Sequence, residues 1–165
     1  MNTPRFASPQ GRWQSLDPTW VWTESLAHTV ESLMSLARAQ KEHAYCPYSR
    51  FRVGAAVQMG GKIFGGSNVE NASYGATMCA ERTAIFSGAA AGARWIEILA
   101  LSTDVPPGSR LEARSPCGMC RQVISEFADE GTLIVVDAGE EDGALYVGEI
   151  IPWAMLLPWS FRLKG

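Results

Sequence analysis

The chain has no apolar run that approaches the roughly 18 residues of a membrane-spanning helix. Residues 1–12 also lack the continuous apolar core of a secretory signal peptide. Together these absences predict a cytoplasmic protein with no membrane partner. Because the cytoplasm keeps thiols reduced, we expect the four cysteines to be free to bind a metal.

Excess positive charge is also missing. The 14 lysines and arginines are scattered along the chain and are outnumbered by 17 aspartates and glutamates, which gives a net charge of -3. Since no basic stripe is present to neutralise phosphates, a nucleic-acid partner is disfavoured. A small uncharged substrate fits this composition better.

The chain contains no internal repeats, and its 165 residues with 47% hydrophobic content fit one compact domain. Residues 1–22 are rich in Pro, Ser, Gln and Trp without a period, which predicts an N-terminal extension before a domain of residues 23–165. Three tryptophans in the extension would be costly to expose, so we expect part of it to pack: Trp13, Trp20 and Trp22.

The most informative motif is Cys79-Ala80-Glu81, which is followed by Cys117 and Cys120 in a Cys-x-x-Cys pair. Three thiolate ligands leave the fourth position of a zinc ion open for water, whose pKa the metal lowers to about 7. Glu81 is not needed as a ligand and is the nearest group that can move the proton of that water. The spacing therefore predicts one catalytic zinc per chain, a signature of zinc deaminases.

Two other interpretations of the cysteines are open. A Cys-x-x-Cys pair can be a thiol redox motif, although that leaves Cys79 and Glu81 unexplained. Cys46 could also complete a closed four-cysteine structural site in a non-catalytic zinc protein. Against this, Cys46 has no second ligand two to four residues away.

Hydrophobic patterns predict helices over Glu24–His43, from Cys79 to about Ala91, and over Gly118–Asp129. Strands are predicted over Phe51–Met59, Lys62–Ser67, Trp95–Ser102 and Leu133–Val136, with Gly60-Gly61 as a hairpin turn between the first two. Because helices separate the last three strands, we expect these strands to be parallel. If cysteines open two of the helices, the helix dipoles favour their thiolates. Arg82 and Arg121 follow the ligands and are candidates to donate hydrogen bonds to their sulfurs.

Several blocks carry a family resemblance, and in this chain they read Tyr48-Ser49-Arg50-Phe51, Val53-Gly54-Ala55-Ala56, Asn68-Val69-Glu70-Asn71-Ala72-Ser73-Tyr74, Cys79-Ala80-Glu81-Arg82-Thr83-Ala84 and Pro116-Cys117-Gly118-Met119-Cys120-Arg121-Gln122-Val123. From about Glu24 to Phe161 the chain resembles the cytidine deaminases, in their small homotetrameric, three-cysteine branch. The resemblance implies a three-layer α-β-α fold with a mixed five-stranded sheet. It also implies hydrolytic deamination of cytidine and deoxycytidine to the uridine forms, as in pyrimidine salvage.

The resemblance also implies roles for single residues. Asn68 and Glu70 match the sugar-binding pair, and Phe51 matches an aromatic wall near the pyrimidine. The backbone N–H of Ala80 and the carbonyl of Ser115 match groups that meet the base. Tyr74 belongs to the block that contains the sugar-binding pair. Phe161 ends a Leu-Leu-Pro-x-x-Phe signature whose Phe stacks on the base in a neighbouring subunit, which implies a homotetramer with shared active sites.

The chain departs from the family pattern in three places: the N-terminal extension, Trp159 where a small or polar residue is usual, and Cys46 where alanine is frequent. Trp159 could alter the rim of the pocket. The identity of the substrate is therefore less constrained than the reaction. A deaminase of another small aminated ring, such as blasticidin S, is the alternative that would keep the zinc motif. The sugar-binding pair Asn68 and Glu70 weighs against it.

Overall fold

The computed structural model describes residues 13–15, 23–106, 109–139 and 148–161. In chain order its elements are β1 (Trp13–Ser15), α1 (Glu24–Lys41), β2 (Val53–Met59), β3 (Lys62–Ser67), a 3-10 turn (Tyr74–Ala76), α2 (Ala80–Ala90), β4 (Ile96–Thr103), α3 (Leu111–Arg114), α4 (Gly118–Phe127), β5 (Leu133–Asp137), β6 (Gly148–Pro152) and α5 (Trp153–Leu156). No helix within the described ranges has the length and apolar character needed to cross a bilayer.

The strands form one sheet in the order β1-β6-β5-β4-β2-β3. β2 pairs antiparallel with both β3 and β4, β4 pairs parallel with β5, and β5 pairs antiparallel with β6. The predicted mixed five-stranded sheet is confirmed for β2 to β6. A sixth strand comes from the N-terminal segment, because β1 pairs parallel with the otherwise open edge of β6. The prediction that the three tryptophans pack falls outside the described residues, which do not include Trp20, Trp22 or the side chain of Trp13.

Helix α1 covers one face of the sheet. Its apolar residues recur at helical spacing, and those at Val30, Leu33, Met34 and Ala37 are fully buried against β2, β4, β5 and β6. Thr23 caps the helix, since its Oγ1 accepts a hydrogen bond of 3.1 Å from the Leu26 backbone N–H. The helix that was predicted over Glu24–His43 is confirmed to within two residues.

Helices α2 and α4 cover the opposite face, which completes the three predicted layers. α2 lies very close to β3, because Gly66 has no side chain. A Cβ built at Gly66 would stand 2.5 Å from both the Ala80 carbonyl oxygen and the Ala84 nitrogen. The sheet therefore fixes the start of α2, where the Cys79-Ala80-Glu81 motif lies.

Two further parts of the fold differ from the sequence-based predictions. β6 was not predicted, since Gly148–Pro152 is too short and too irregular to show a strand period. The loop predicted from Thr103 to Arg114 contains one helical turn, α3, at its end. Gly60 and Gly61 do form the predicted hairpin turn, and both have positive φ angles, of 57° and 74°.

Candidate active site

The metal motif is assembled from the beginnings of two helices. Cys79 is the N-cap residue of α2, Cys117 is the N-cap residue of α4, and Cys120 lies in the first turn of α4. Helix N-termini carry unpaired N–H groups and the positive end of the helix dipole, both of which stabilise thiolates. The two helices begin side by side, so they bring residues 38 positions apart into one cluster.

The three ligand sulfurs lie within 4.8 Å of one another. Cys117 Sγ and Cys120 Sγ are 3.6 Å apart, close to the roughly 3.8 Å that separates two thiolates at 2.3 Å from a tetrahedral zinc. The donor set also fits, because thiolates are the soft ligands that zinc accepts readily. Cys79, Cys117 and Cys120 are therefore positioned to hold a zinc ion.

Hydrogen bonding within the cluster sets its electrostatics. The thiol of Cys120 and then the guanidinium of Arg82 lower the pKa of Cys79 to about 5, although burial opposes this shift. The hydrogen bond to Cys79, together with burial, raises the pKa of Cys120. Cys79 is thus the thiolate that this arrangement stabilises before any metal is bound.

Cys46 is not part of the cluster. Among the described residues the group that could hold a metal contains three cysteines, and Cys46 lies elsewhere, on the loop after α1. A closed four-cysteine site therefore does not form in this fold. Three ligands and an open position are what a catalytic zinc site requires.

The two arginines beside the ligands have different partners. Arg82 is buried, and its Nη2 donates to the Thr77 carbonyl at 2.9 Å and lies 3.5 Å from Cys79 Sγ. Arg121 instead donates to the carbonyls of Pro116 and Leu156 and to Ser115 Oγ, at 2.7, 3.1 and 3.1 Å. The prediction that Arg121 donates to a ligand sulfur is corrected accordingly, since its guanidinium bonds instead to the segment that precedes α4 and to the end of α5.

Glu81 lies in the first turn of α2, two residues after Cys79, and only 5% of its surface is exposed. Burial, with a smaller contribution from the negative charge of Cys79, raises the pKa of the Glu81 carboxyl to about 7. A carboxyl group with a pKa near neutrality can both accept and donate a proton.

A pocket of about 580 Å³ opens in front of the metal ligands. Its wall comes from the loop after α1, the ends of β2, β3 and β4, and the segments that lead into α2 and α4; the predicted site residues that line it are Phe51, Asn68, Glu70, Cys79, Glu81, Ser115, Cys117 and Arg121. Ala80, Arg82 and Cys120 are buried behind this wall. The volume is in the range of small-molecule sites.

Asn68 and Glu70 lie on the pocket wall and also bond to the backbone around them. Asn68 Oδ1 accepts from the Val53 N–H at 2.8 Å, and its Nδ2 donates to the Phe51 carbonyl at 2.9 Å. Glu70 Oε2 accepts from the backbone N–H groups of Tyr48 and Ser49. Hydrogen bonds from the Ser49 side chain and from these N–H groups lower the pKa of Glu70. Its carboxylate is therefore held in place and ionised at neutral pH.

Two further predicted site residues lie outside this pocket and are exposed. Tyr74 is 82% exposed in the 3-10 turn, and Phe161 is 67% exposed near the end of the described chain. Phe161 is attached to α4 through its carbonyl, which accepts a hydrogen bond of 2.9 Å from Gln122.

The structure also places residues in the wall that were not predicted. Thr77 precedes the first ligand, and its Oγ1 accepts from the Asn71 N–H at 3.0 Å. Arg114, which is 4% exposed, lies directly before Ser115. Proximity to the ligands in the sequence could have suggested Thr77. A single arginine at the end of a long loop gives no comparable signal.

Comparison with known proteins places this site in a family. The profile of the cytidine and deoxycytidylate deaminase zinc-binding region matches residues 27–136. A cytidine deaminase of Halalkalibacterium halodurans is 40% identical over 126 residues, which cover 75% of this chain and 92% of that protein. A cytidine deaminase of Sporosarcina psychrophila is 45% identical over 101 residues, covering 61% of this chain and 71% of that protein. The crystal structure of a cytidine deaminase from Burkholderia pseudomallei superimposes with a TM-score of 0.66 at 40% identity, covering 79% of this chain and 97% of that one.

Proposed function

The chain belongs to the family of cytidine and deoxycytidylate deaminases, and we propose that Glu81 is the general base and general acid of its reaction. That reaction is the zinc-dependent hydrolytic deamination of cytidine and deoxycytidine, which releases ammonia and gives uridine and deoxyuridine for pyrimidine salvage. The observation that carries the role of Glu81 is its carboxyl group, which is buried on the wall of the pocket that holds the ligand sulfurs.

Each residue of the site has a separate role in the deamination. A zinc ion held by the three cysteines would act as a Lewis acid and lower the pKa of the attacking water to about 7. Glu81 takes a proton from the attacking water and delivers it to N3 of the pyrimidine, which makes C4 more electrophilic. The resulting hydroxide attacks C4. Glu81 then takes the proton of the new C4 hydroxyl and gives it to the exocyclic amine, so that the C4–N bond breaks and ammonia leaves while N3 keeps its proton in the uridine product. Arg82, at 3.5 Å from Cys79 Sγ, offsets part of the charge of three thiolates.

We propose that the base is held by backbone groups. Ala80 is the first residue of α2, so its N–H has no intrahelical acceptor and is free to meet the 2-oxo group. Ser115 lines the same pocket, and its backbone carbonyl accepts from the exocyclic amine. Phe51, 36% exposed on the pocket wall, supplies an apolar surface for the ring.

We propose that Glu70 and Asn68 hold the ribose. The backbone N–H groups of Tyr48 and Ser49 orient the Glu70 carboxylate and use only part of its acceptor capacity, since a carboxylate has about four lone-pair sites. A sugar 3'-hydroxyl can therefore still donate to it. Asn68 uses one of its two amide hydrogens on the Phe51 carbonyl, which leaves the second for an acceptor on the sugar.

The decisive experiment measures ammonia release from cytidine, deoxycytidine, cytosine and blasticidin S, with the zinc content counted per chain. We expect turnover of the two nucleosides only. Glu81→Gln should retain its zinc and its folding yet lose at least about 10²- to 10⁴-fold in kcat, because it cannot transfer the protons. Activity of this variant within about tenfold of the wild type would contradict the role of Glu81.

We also propose that the protein is a cytoplasmic homotetramer in which Phe161 stacks on the base in a neighbour's site. None of the four cysteines forms a disulfide, which fits a reducing compartment. The exposed aromatic side chains of Tyr74, Trp159 and Phe161, at 82%, 99% and 67%, fit a surface that another subunit covers.

Complementation tests the shared site. Chains with Phe161→Ala are unfolded and refolded together with chains that carry Glu81→Gln, so that some interfaces combine an intact Glu81 with an intact Phe161. If Phe161 serves a neighbour, the mixture regains activity above that of the two variants refolded separately. If Phe161 serves its own chain, no site regains both groups and no recovery appears.

A further inference from the structure

Arg114 is a buried arginine in the wall of the pocket, and it makes an unusually complete set of bonds. Its Nε donates to the Ser109 carbonyl at 3.0 Å, and its Nη1 donates to the Asp137 carbonyl at 3.1 Å. Its Nη2 donates to both carboxylate oxygens of Glu149, each at 3.1 Å. These partners lie on the loop before α3, at the end of β5 and on β6, so one side chain joins three parts of the fold.

Arg114 is placed directly before the segment that faces the substrate. Ser115 and Pro116 follow it and line the pocket. From the other side, Arg121 donates to Ser115 Oγ and to the Pro116 carbonyl. Two arginines thus hold this short segment between them. The Ser115 carbonyl oxygen accepts no hydrogen bond from any described residue, and it remains an unused acceptor at the pocket wall.

A stabilising role alone is a weak explanation for this arrangement. Only 3% of the Arg114 side chain and 25% of the Glu149 side chain are exposed, and apolar side chains often stabilise such a site equally well because burying two charges is costly. The planar, five-donor guanidinium does something that apolar side chains cannot do, since it fixes the relative positions of three acceptors in a rigid fork.

We propose that Arg114 is a positioning residue that holds the Ser115 carbonyl where the exocyclic amine of the substrate binds. This inference rests on the proposed nucleoside deamination and on the contact of Ser115 with the amine. Because the amine gains a proton as it leaves, its hydrogen bond to the carbonyl strengthens on the way to the transition state. Misplacement of the carbonyl should therefore lower kcat more than it raises KM.

The test compares two ligands that differ only at the amine. One is cytidine, and the other is the pyrimidin-2-one ribonucleoside, which has hydrogen in place of the amine. Arg114→Lys keeps the charge but loses the fork, and we expect it to lower kcat/KM for cytidine by about 10- to 100-fold. The Ki of the pyrimidin-2-one ribonucleoside and the zinc content should stay near their wild-type values.

Arg110→Lys is the matched control, since Arg110 lies four residues earlier, is 87% exposed and pairs with Glu112 at the surface. It should leave both ligands unaffected. Glu149→Gln keeps the shape of the partner and removes only its charge, so it gives the same selective loss, smaller in size, even if Arg114→Lys does not fold.

A parallel weakening of both ligands, or a loss of zinc in Glu149→Gln, would overturn the positioning role. Unchanged discrimination between the two ligands in Glu149→Gln would also overturn it. Ammonia release by the wild-type protein distinguishes a failure of the positioning role from a failure of the proposed function. If it releases no ammonia from cytidine, the proposed function itself fails, and the role of Arg114 fails with it.

Discussion

The contact between β3 and α2 gives the sharpest test of how the fold positions the site. Gly66 faces α2, and a Cβ there would stand 2.5 Å from Ala80 O and from Ala84 N. Both atoms belong to the helix backbone and cannot rotate away. To reach an ordinary contact of at least 3.4 Å, α2 must move away from the sheet by about 0.9 Å.

Gly66→Ala should therefore displace the whole start of α2, which carries Cys79 and Glu81, relative to the ligands on α4. Overpacking of this kind costs about 1 to 3 kcal/mol of unfolding free energy. The larger effect is on function, because a misplacement of about 1 Å in a catalytic site can cost about 100-fold in rate. We expect kcat/KM for cytidine to fall by about that factor and zinc affinity to fall with it.

The assay is ammonia release, measured together with zinc content and urea unfolding. Gly65→Ala is a close control, since Gly65 is the next residue on the same strand and faces α1 on the other side of the sheet. A Cβ there would meet the Gln40 side chain at 2.8 Å, which can swing aside. If Gly66→Ala is as active and as rich in zinc as Gly65→Ala, then the β3–α2 contact does not position the site.

The other predictions concern the metal and acid stability. Cys46→Ala should keep full zinc content and activity while Cys79→Ala loses both, as measured by metal analysis and ammonia release; loss of zinc from Cys46→Ala would restore the four-cysteine alternative. Burial acts to raise the pKa of Asp137, but hydrogen bonds from Arg38, Gly139 and Ser102 outweigh it and lower the pKa overall. Since the folded pKa lies below the unfolded value, this carboxylate stabilises the fold above the unfolded pKa, about 3.9, and the stabilisation is lost as the pH falls through the folded pKa. Asp137→Asn should therefore lose about 1.5 to 3 kcal/mol at pH 7 and show a flatter decline in urea stability toward pH 3; equal pH slopes in the two proteins would contradict this.

Most of the fold could be predicted from the sequence because its signals are local. The α1 stripe, the Gly60-Gly61 turn and the apolar strand Leu133–Val136 are each encoded within about twenty residues, and each is present in the structure. β1 and β6 could not be predicted in this way. Each is short, and each becomes a strand by pairing with a neighbouring strand, β6 with β5 and β1 with β6.

The metal site was predictable for a different reason. Cys79, Cys117 and Cys120 carry a spacing that few other functions need, and helix starts bring them together. The spacing of residues in the sequence does not determine where an arginine side chain points. This explains why Arg82 reaches a ligand sulfur while Arg121 donates to the Pro116 carbonyl. Sequence adjacency places a Cα, and only packing decides where a long side chain ends.

The aromatic residues near the chain's end, Trp159 and Phe161, are the part of the proposed site that a single chain leaves exposed. Trp159 is 99% exposed and has a φ of 63°, a left-handed conformation that bulky residues seldom adopt. Phe161, two residues later, is also largely exposed. Hydration of two large rings on a strained segment is costly for an isolated chain, and burial against another subunit removes that cost. A sequence motif can identify such a residue, but the proposal that its ring enters a neighbouring subunit's pocket needs an experiment, and mixing Phe161→Ala with Glu81→Gln chains provides it.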